Sequence, residues 1–258
     1  MNVARNTLSG VVTTFNNAAT LDACLSSLSF CDELVVLDSA STDGTQAIAR
    51  QHGARLFEEP FKGYGAQKQS AIDKCTSDWI LLLDADEWLA EGAKDIIQEQ
   101  LAHPNADGYR LARDEWLFWR WPARGTRGNH QLRLFRKSAG AMNAVPVHAA
   151  PEVKGVVRDL AARFCHFGEP EIAVRVEKIN RYSSGLVEHS ARKHKRFMGT
   201  RLVVYPWLAF LKMYVGKRYF LNGWAGFIAA RTHAFYAFLK YAKVYEARIK
   251  RARTTQDV

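Results

Sequence analysis

Asp84, Asp86 and Glu87 fall within four residues of one another, directly after the apolar run Trp79-Ile80-Leu81-Leu82-Leu83. Like charges at this spacing repel, and burying them unpaired is costly. Either water solvates them or a cation gathers them. Carboxylates combined with phosphate oxygens are the ligand set that Mg2+ and Mn2+ prefer. A divalent cation on Asp86 and Asp84, completed by a diphosphate, accounts for the cluster. Two further segments end on residues that can do chemistry: Thr13-Thr14-Phe15-Asn16 and Asp38-Ser39-Ala40-Ser41-Thr42-Asp43-Gly44. If all three end strands of one open parallel sheet, they share the rim on which such sheets bind ligands. No G-x-x-x-x-G-K-[ST] and no G-x-G-x-x-G follows the first of them, so no glycine loop cradles phosphate here. Each segment alone has a plainer reading, as a solvated turn or a helix cap; their order is what favours a site.

The elements needed to position these residues can be read from periodicity. The stretch 7–15 is short and β-branched, and 33–38, 54–59 and 79–84 are likewise strand-like. Leu21, Cys24, Leu25 and Leu28 fall at i, i+3, i+4 and i+7, one face of a helix. Helices are expected again over 41–53, which ends on Gly53, and over 65–75 and 90–102. Strands alternating with helices predict a mainly parallel sheet covered on both faces. After Gly108 two more strands, 108–113 and 131–137, flank a Trp-rich stretch. From Glu171 the chain reads as helix, with Ile172, Val176, Ile179 and Leu186 in helical period. Two domains are expected, 1–170 and 171–258.

Charge divides along the same line. Residues 171–258 carry 18 Lys and Arg against five Asp and Glu, a net of +13, while 1–170 carry 18 against 21, a net of −3. An ordinary body with a basic extension points to an anionic partner: nucleic acid, an anionic membrane or a phosphorylated acceptor. The four cysteines are scattered with no C-x-x-C, which predicts reduced, mostly buried thiols. The first residues lack an apolar signal core, so a cytoplasmic location is expected.

The segments VVTTFNNAATLDACLSSL (11–28), LVVLDSASTDGT (34–45) and WILLLDADEWL (79–89) resemble the family 2 glycosyltransferases of the GT-A nucleotide-diphospho-sugar fold. The turn from Asp38 to Asp43 is one residue longer than the family's D-x-x-S-x-D-G-T pattern. GYGAQKQSAI (63–72), RLFRK (133–137), PVH (146–148) and FLNGWAGFIAA (220–230) are similar, more narrowly, to inner-core glucosyltransferases of lipopolysaccharide assembly. The resemblance implies a GT-A catalytic domain with a helical, basic, aromatic-rich extension. It implies inverting transfer of a sugar, glucose in the narrower family, from a UDP-sugar to a lipopolysaccharide core or similar lipid-linked glycan. In that reading Thr13 and Phe15 line the uracil pocket and Asp38 hydrogen-bonds the base. Asp84 flanks the ribose-diphosphate, Asp86 ligates Mg2+ or Mn2+, and His148 completes the metal shell. Lys68, Arg133 and Arg136 meet the diphosphate or an anionic acceptor, the two arginines sharing one strand face. An inverting displacement needs a carboxylate base near the acceptor hydroxyl; Glu152 and Asp114 are the candidates, with Glu115 a third. The family's Glu after the PVH histidine is replaced here by Ala149.

Two other classes stay open at this point. A basic, aromatic tail also suits single-stranded nucleic acid, although no recognised nucleic-acid motif accompanies it. A nucleotidyltransferase also pairs carboxylates with Mg2+, but TTFNNAAT is not its phosphate loop. Residues 197–241 hold 13 of the chain's 30 aromatics, interleaved with Lys and Arg. Their longest apolar run, 202–215, contains Pro206 and Lys212 and falls short of a membrane span. It predicts peripheral contact with an anionic membrane, on the inner face of a bacterial inner membrane.

Overall fold

A computed structural model describes residues 5–143, 149–168, 171–185, 187 and 198–256. The first strands, β1 (Leu8–Thr14), β2 (Glu33–Asp38), β3 (Arg55–Glu58) and β4 (Trp79–Asp84), lie in the order β3-β2-β1-β4 and are parallel. Their β-branched and leucine-rich composition suits strands buried on both faces. Val12, Leu81 and Leu83 enter one core, while the alternating Val11, Ile80 and Leu82 enter a second core on the other face. Each such side chain, fully buried, contributes about 1.5–3 kcal/mol. Helices α1 (Leu21–Ser27), α2 (Thr45–Gln51), α3 (Tyr64–Asp73) and α4 (Ala93–Ala102) are the connections. The predicted apolar face of α1 is fully buried: Leu21, Cys24 and Leu25, with Leu28 just past its end, are at 0% exposure.

The sheet is mixed rather than mainly parallel. Beyond β4 it continues through β7 (Asn129–Arg136), β6 (Gly108–Glu115), β10 (Val157–His166) and β5 (Glu87–Leu89), eight strands in all. The pairs β4–β7, β6–β7 and β5–β10 are antiparallel. Short β5 and long β10 have no counterpart in the periodicity reading, yet they close the edge next to Asp84–Glu87. A separate hairpin pairs β8 (Gly140–Met142) with β9 (Pro151–Val153).

The chain divides into two compact units. One comprises Met1–Asp114 and Asn129–Phe167; the other comprises Glu115–Gly128 and Gly168–Val258. The Trp-rich segment thus groups with the basic helices, not with the strands that flank it in sequence. Within the second unit, Leu117 and Phe118 pack with Ala225 and Ala229, and the Arg175 guanidinium lies 4.6 Å from the centre of the Phe118 ring. Asn222 accepts from the Ala123 amide at 2.7 Å and donates to the Thr126 hydroxyl at 3.0 Å. Helices α5 (Ile172–Gly185), α6 (Met198–Leu211) and α7 (Gly223–Gln256) form this unit, with a π-helical turn at Lys212–Gly216 and a 3-10 turn at Tyr219–Asn222. Gly226 is required because a Cβ there would stand 1.9 Å from the Tyr219 carbonyl oxygen. In α5, Ile172 and Val176 are 46% and 38% exposed and Ile179 is half-buried, while Leu186 lies outside the described residues.

Candidate active site

The rim predicted from the strand ends is assembled in the first unit. In register, Thr13 of β1 lies between Leu37 of β2 and Asp84 of β4, and Thr14 pairs with Asp38. Phe15, just past β1, is 57% exposed, an uncovered ring at the strand-end rim. The two loops that follow β1 and β2 are stitched together. The Asn16 amide donates to Ser41 Oγ (2.8 Å), the Thr42 amide to Asn16 Oδ1 (2.9 Å), and the Asn17 amide to Thr45 Oγ1 (2.8 Å). Asn16 and Ala40 hold positive φ, 53° and 63°, a cost that non-glycine residues bear where surrounding contacts force it. Asp38 is the organiser of this pair of loops. Completely buried, it accepts from the Ser41 amide (2.8 Å), the Ser41 hydroxyl and Gln46 Nε2 (2.8 Å).

Around Asp84 the charges are resolved by partners. Lys68, from α3, places Nζ 2.5 Å from Asp84 Oδ1. Arg133, from β7, is buried; its Nη2 lies 2.6 Å from Glu87 Oε1 and 3.5 Å from Asp84 Oδ2. Glu87 is equally buried, and its other oxygen accepts from the Asp84 amide at 3.1 Å. Burial opposes ionisation of Asp84, but Lys68 and Arg133 hold its carboxyl well below the usual carboxylate range. Burial and the neighbouring Asp84 push the Glu87 carboxyl up, against the pull of Arg133. The Arg133 guanidinium also stands 5.0 Å from the centre of the Phe164 ring. Beneath the cluster, the Cys24 thiol donates to the Asp84 carbonyl at 3.6 Å, and burial followed by the three carboxylates raises its pKa strongly.

Asp86 has a different neighbour. His166 Nε2 lies 3.3 Å from Asp86 Oδ2, both side chains partly exposed, and the Phe167 amide donates to the Asp86 carbonyl at 2.9 Å. His166 escaped the sequence reading. Its signal was there: Leu160, Ala162 and Phe164 alternate as buried residues of β10, and His166 is the next residue on that face. The carboxylate suits Mn2+ or Mg2+, the imidazole the softer Mn2+ better than Mg2+, and such ions take few protein ligands when phosphate oxygens complete the shell. Among the described residues no three His, Cys, Asp or Glu side chains gather at one metal-binding point. The donor set therefore fits an ion shared with a diphosphate. His148, expected in the metal shell, lies outside the described residues.

The remaining candidates separate. Arg133 and Arg136 do not share a face: residues three apart on a strand point to opposite sides. Arg136 pairs in register with Trp79, at the start of β4, and its guanidinium lies 4.7 Å from the centre of the Trp79 ring. Asp84 ends the same strand, roughly 17 Å away at the strand rise per residue, so Arg136 does not reach the rim. Asp114 is gripped at both carboxylate oxygens by Arg163, with Nε at 2.8 Å from Oδ2. Both of its oxygens are thus committed to one guanidinium. Glu152, on β9, is exposed and accepts one hydrogen bond from Asn143 Nδ2 at 3.1 Å. Its hairpin abuts the start of α3: the Met142 amide donates to Gln69 Oε1 at 2.8 Å, and Gly65 sits against the Asn143 carbonyl and Ala149.

Comparison with known proteins identifies the family. The model of the family described as glycosyl transferase family 2 matches residues 9–151. The chain is 32% identical to the lipopolysaccharide core biosynthesis glycosyltransferase LpsC of Rhizobium meliloti (strain 1021), over 97% of this chain and 96% of that protein. It is also 32% identical to an uncharacterized glycosyltransferase of Rickettsia felis, over 94% of this chain and 91% of that one. A crystal structure of S. aureus TarS 1-349 aligns with a TM-score of 0.48 at 14% identity, over 95% of this chain and 92% of that one. A family match over more than half the chain, together with full-length relatives at this identity, decides the family: the chain belongs to glycosyl transferase family 2 and is a homologue of the lipopolysaccharide core glycosyltransferase LpsC.

Proposed function

We propose that this glycosyltransferase moves a sugar, glucose in the first instance, from a UDP-sugar to a lipopolysaccharide core or similar lipid-linked glycan, with inversion at the anomeric carbon. The observation that carries the reading is the Asp86–His166 pair beside the Lys68–Asp84 ion pair at one strand rim. Asp86 and His166 would hold Mg2+ or Mn2+, which would supply positive charge to offset that of the departing diphosphate. Asp84 fixes Lys68 beside that charge. The loops that Asp38 organises, together with Thr13 and Phe15, form the uracil pocket. Glu152 is the base of choice, since one of its oxygens is uncommitted in the contacts described, whereas Asp114 is occupied by Arg163. The acceptor class rests on the kinship with LpsC.

Calorimetric titration of UDP in the presence of Mn2+, followed by a screen of UDP-sugars for UDP release, tests the reading. Asp86→Ala and His166→Ala should each lower metal-dependent UDP affinity by about tenfold or more and transfer by about 100-fold. Undiminished activity of both variants, or full wild-type activity in excess EDTA, overturns the metal assignment. Glu152→Gln should lower transfer by about 100-fold or more while leaving UDP affinity intact. If instead UDP affinity falls with it, Glu152 belongs to the donor site.

A further inference from the structure

Helix α6 is apolar around its whole circumference. Met198–Leu211 contains one charged residue, Arg201, and the helix runs through Pro206. Its inner side meets α7: Leu202 packs with the cluster of Tyr241 and Val244, the Tyr205 and Tyr241 rings lie 5.2 Å apart, and Phe210 lies 5.8 Å from Phe227. The opposite side carries Val203, Val204, Trp207, Leu208 and Leu211, all exposed, with Trp207 at 61% and Leu208 at 54%. These positions recur at three- and four-residue intervals, which makes them one continuous stripe. Past the helix end, exposed Val215, Phe220 and Trp224 (76%) extend the apolar surface around the turn, where Tyr214, Phe220, Phe227 and Trp224 form a chain of ring contacts. An exposed apolar surface of this extent on a folded chain marks a docking face.

Charge identifies the occupant. Residues 189–245 contain no Asp or Glu and 11 Lys and Arg. Lys212 and Arg218 stand exposed at the turn beside the stripe, and the Arg231 guanidinium lies 5.9 Å from the centre of the Phe210 ring. A second copy of the same face would oppose cation to cation. Nucleic acid offers phosphate but no complement to a row of Val and Leu. An anionic bilayer offers both: headgroups for the cations, and an acyl boundary for the aliphatic and indole side chains. No helix among the described residues is long and apolar enough to cross a membrane, so the geometry is one of lying on it.

We propose that the outer face of α6 and the turn that follows it, centred on Trp207, Leu208, Leu211 and Trp224, docks this enzyme on an anionic lipid bilayer. This does not depend on the identity of the donor or on the metal. Flotation of the full chain with vesicles decides it. The protein is expected to float with equimolar phosphatidylcholine–phosphatidylglycerol vesicles at low salt and with pure phosphatidylcholine far less. Strong salt should release it, because headgroup attraction is screened beyond a few ångströms. Leu208→Glu places a carboxylate at the centre of an exposed stripe and leaves the core untouched. It should cut the bound fraction by about tenfold with an unchanged thermal melt. Trp224→Ser serves as the independent second variant, with the same loss expected. Wild-type protein that stays unbound with the mixed vesicles overturns the proposal, as does equal binding to both lipid compositions. So does equal flotation of wild type and both variants. A concentration-dependent dimer in sedimentation velocity that Leu208→Glu abolishes assigns the face to a second copy instead and likewise overturns it.

Discussion

Arg133 shows how a single residue changes meaning between strand and fold. Its guanidinium pairs with Glu87 and Asp84 and is walled in by Phe164, so it serves as a buried partner of carboxylates and not as an exposed cation. Removing one partner of a buried pair leaves the other charge without compensation, which costs about 3–5 kcal/mol. Arg133→Ala and Glu87→Ala are therefore expected to shift the urea unfolding midpoint sharply. Lys68→Met should shift it far less, because that ammonium lies nearer the surface. The functional ranking is the reverse for Lys68: its loss should weaken UDP binding by calorimetry in a protein that still unfolds cooperatively. Wild-type UDP affinity in Lys68→Met would remove Lys68 from the donor site.

Among the elements, the parallel strands are clasped at the end opposite the site by one carboxylate. Glu33, at the start of β2, accepts from Ser9 Oγ (2.5 Å) on β1 and from the Thr76 amide (2.5 Å) leading into β4, and its other oxygen meets Arg55 Nη1 (2.6 Å) on β3. Burial alone would raise its pKa, but the Ser9, Thr76 and Arg55 hydrogen bonds outweigh it and bring it from 4.5 to about 2. A depressed folded-state pKa stabilises the protein above the unfolded value. That contribution is full above about pH 5 and is lost as pH falls from 4.5 towards 2. Glu33→Gln should cost about 1–2 kcal/mol at pH 7 after allowance for solvent screening, and should flatten the stability profile between those limits. Chemical denaturation at a series of pH values measures both effects. At the other end, Asp38→Ala removes the acceptor of the Ser41 and Gln46 bonds and should loosen both rim loops. Its expected signature is weaker UDP binding with no acceptor present; loss confined to acceptor kinetics would move Asp38 out of the nucleotide site.

For the whole molecule, thiol reactivity follows from burial. All four cysteines are free. Burial raises the thiols of Cys75 and Cys165 to about 11 and those of Cys24 and Cys31 further. The thiolate is the reactive form, so the native protein should react with an aromatic disulfide reagent at pH 8 at least about tenfold slower than the unfolded chain. Four equivalents should titrate after unfolding; fewer would reveal a disulfide. A metal shared with a diphosphate contributes nothing to the fold in the donor's absence. EDTA should therefore abolish transfer while leaving the thermal midpoint unchanged, whereas a matching fall in that midpoint would mean a structural ion.

The local pattern was enough to place β1, β2, β4 and the helices between them, because strands buried on both faces and helices with one apolar face leave different periods in the chain. The carboxylates Asp38 and Asp84 could likewise be assigned to strand ends, since each follows an unbroken apolar run. Which charges meet was decided elsewhere. Arg133 reaches Glu87, His166 reaches Asp86 and Arg163 reaches Asp114 across 46, 80 and 49 residues of chain. Such pairs depend on sheet order, above all on β10 and β7 lying beside the strands that carry the carboxylates. Nothing in a local period encodes that order. The same holds for the Trp-rich segment 115–128, whose apolar side chains found their partners on α7. The apolar stripe of α6 could be read only as hydrophobic; that it faces outward follows from α7 having already covered the other side.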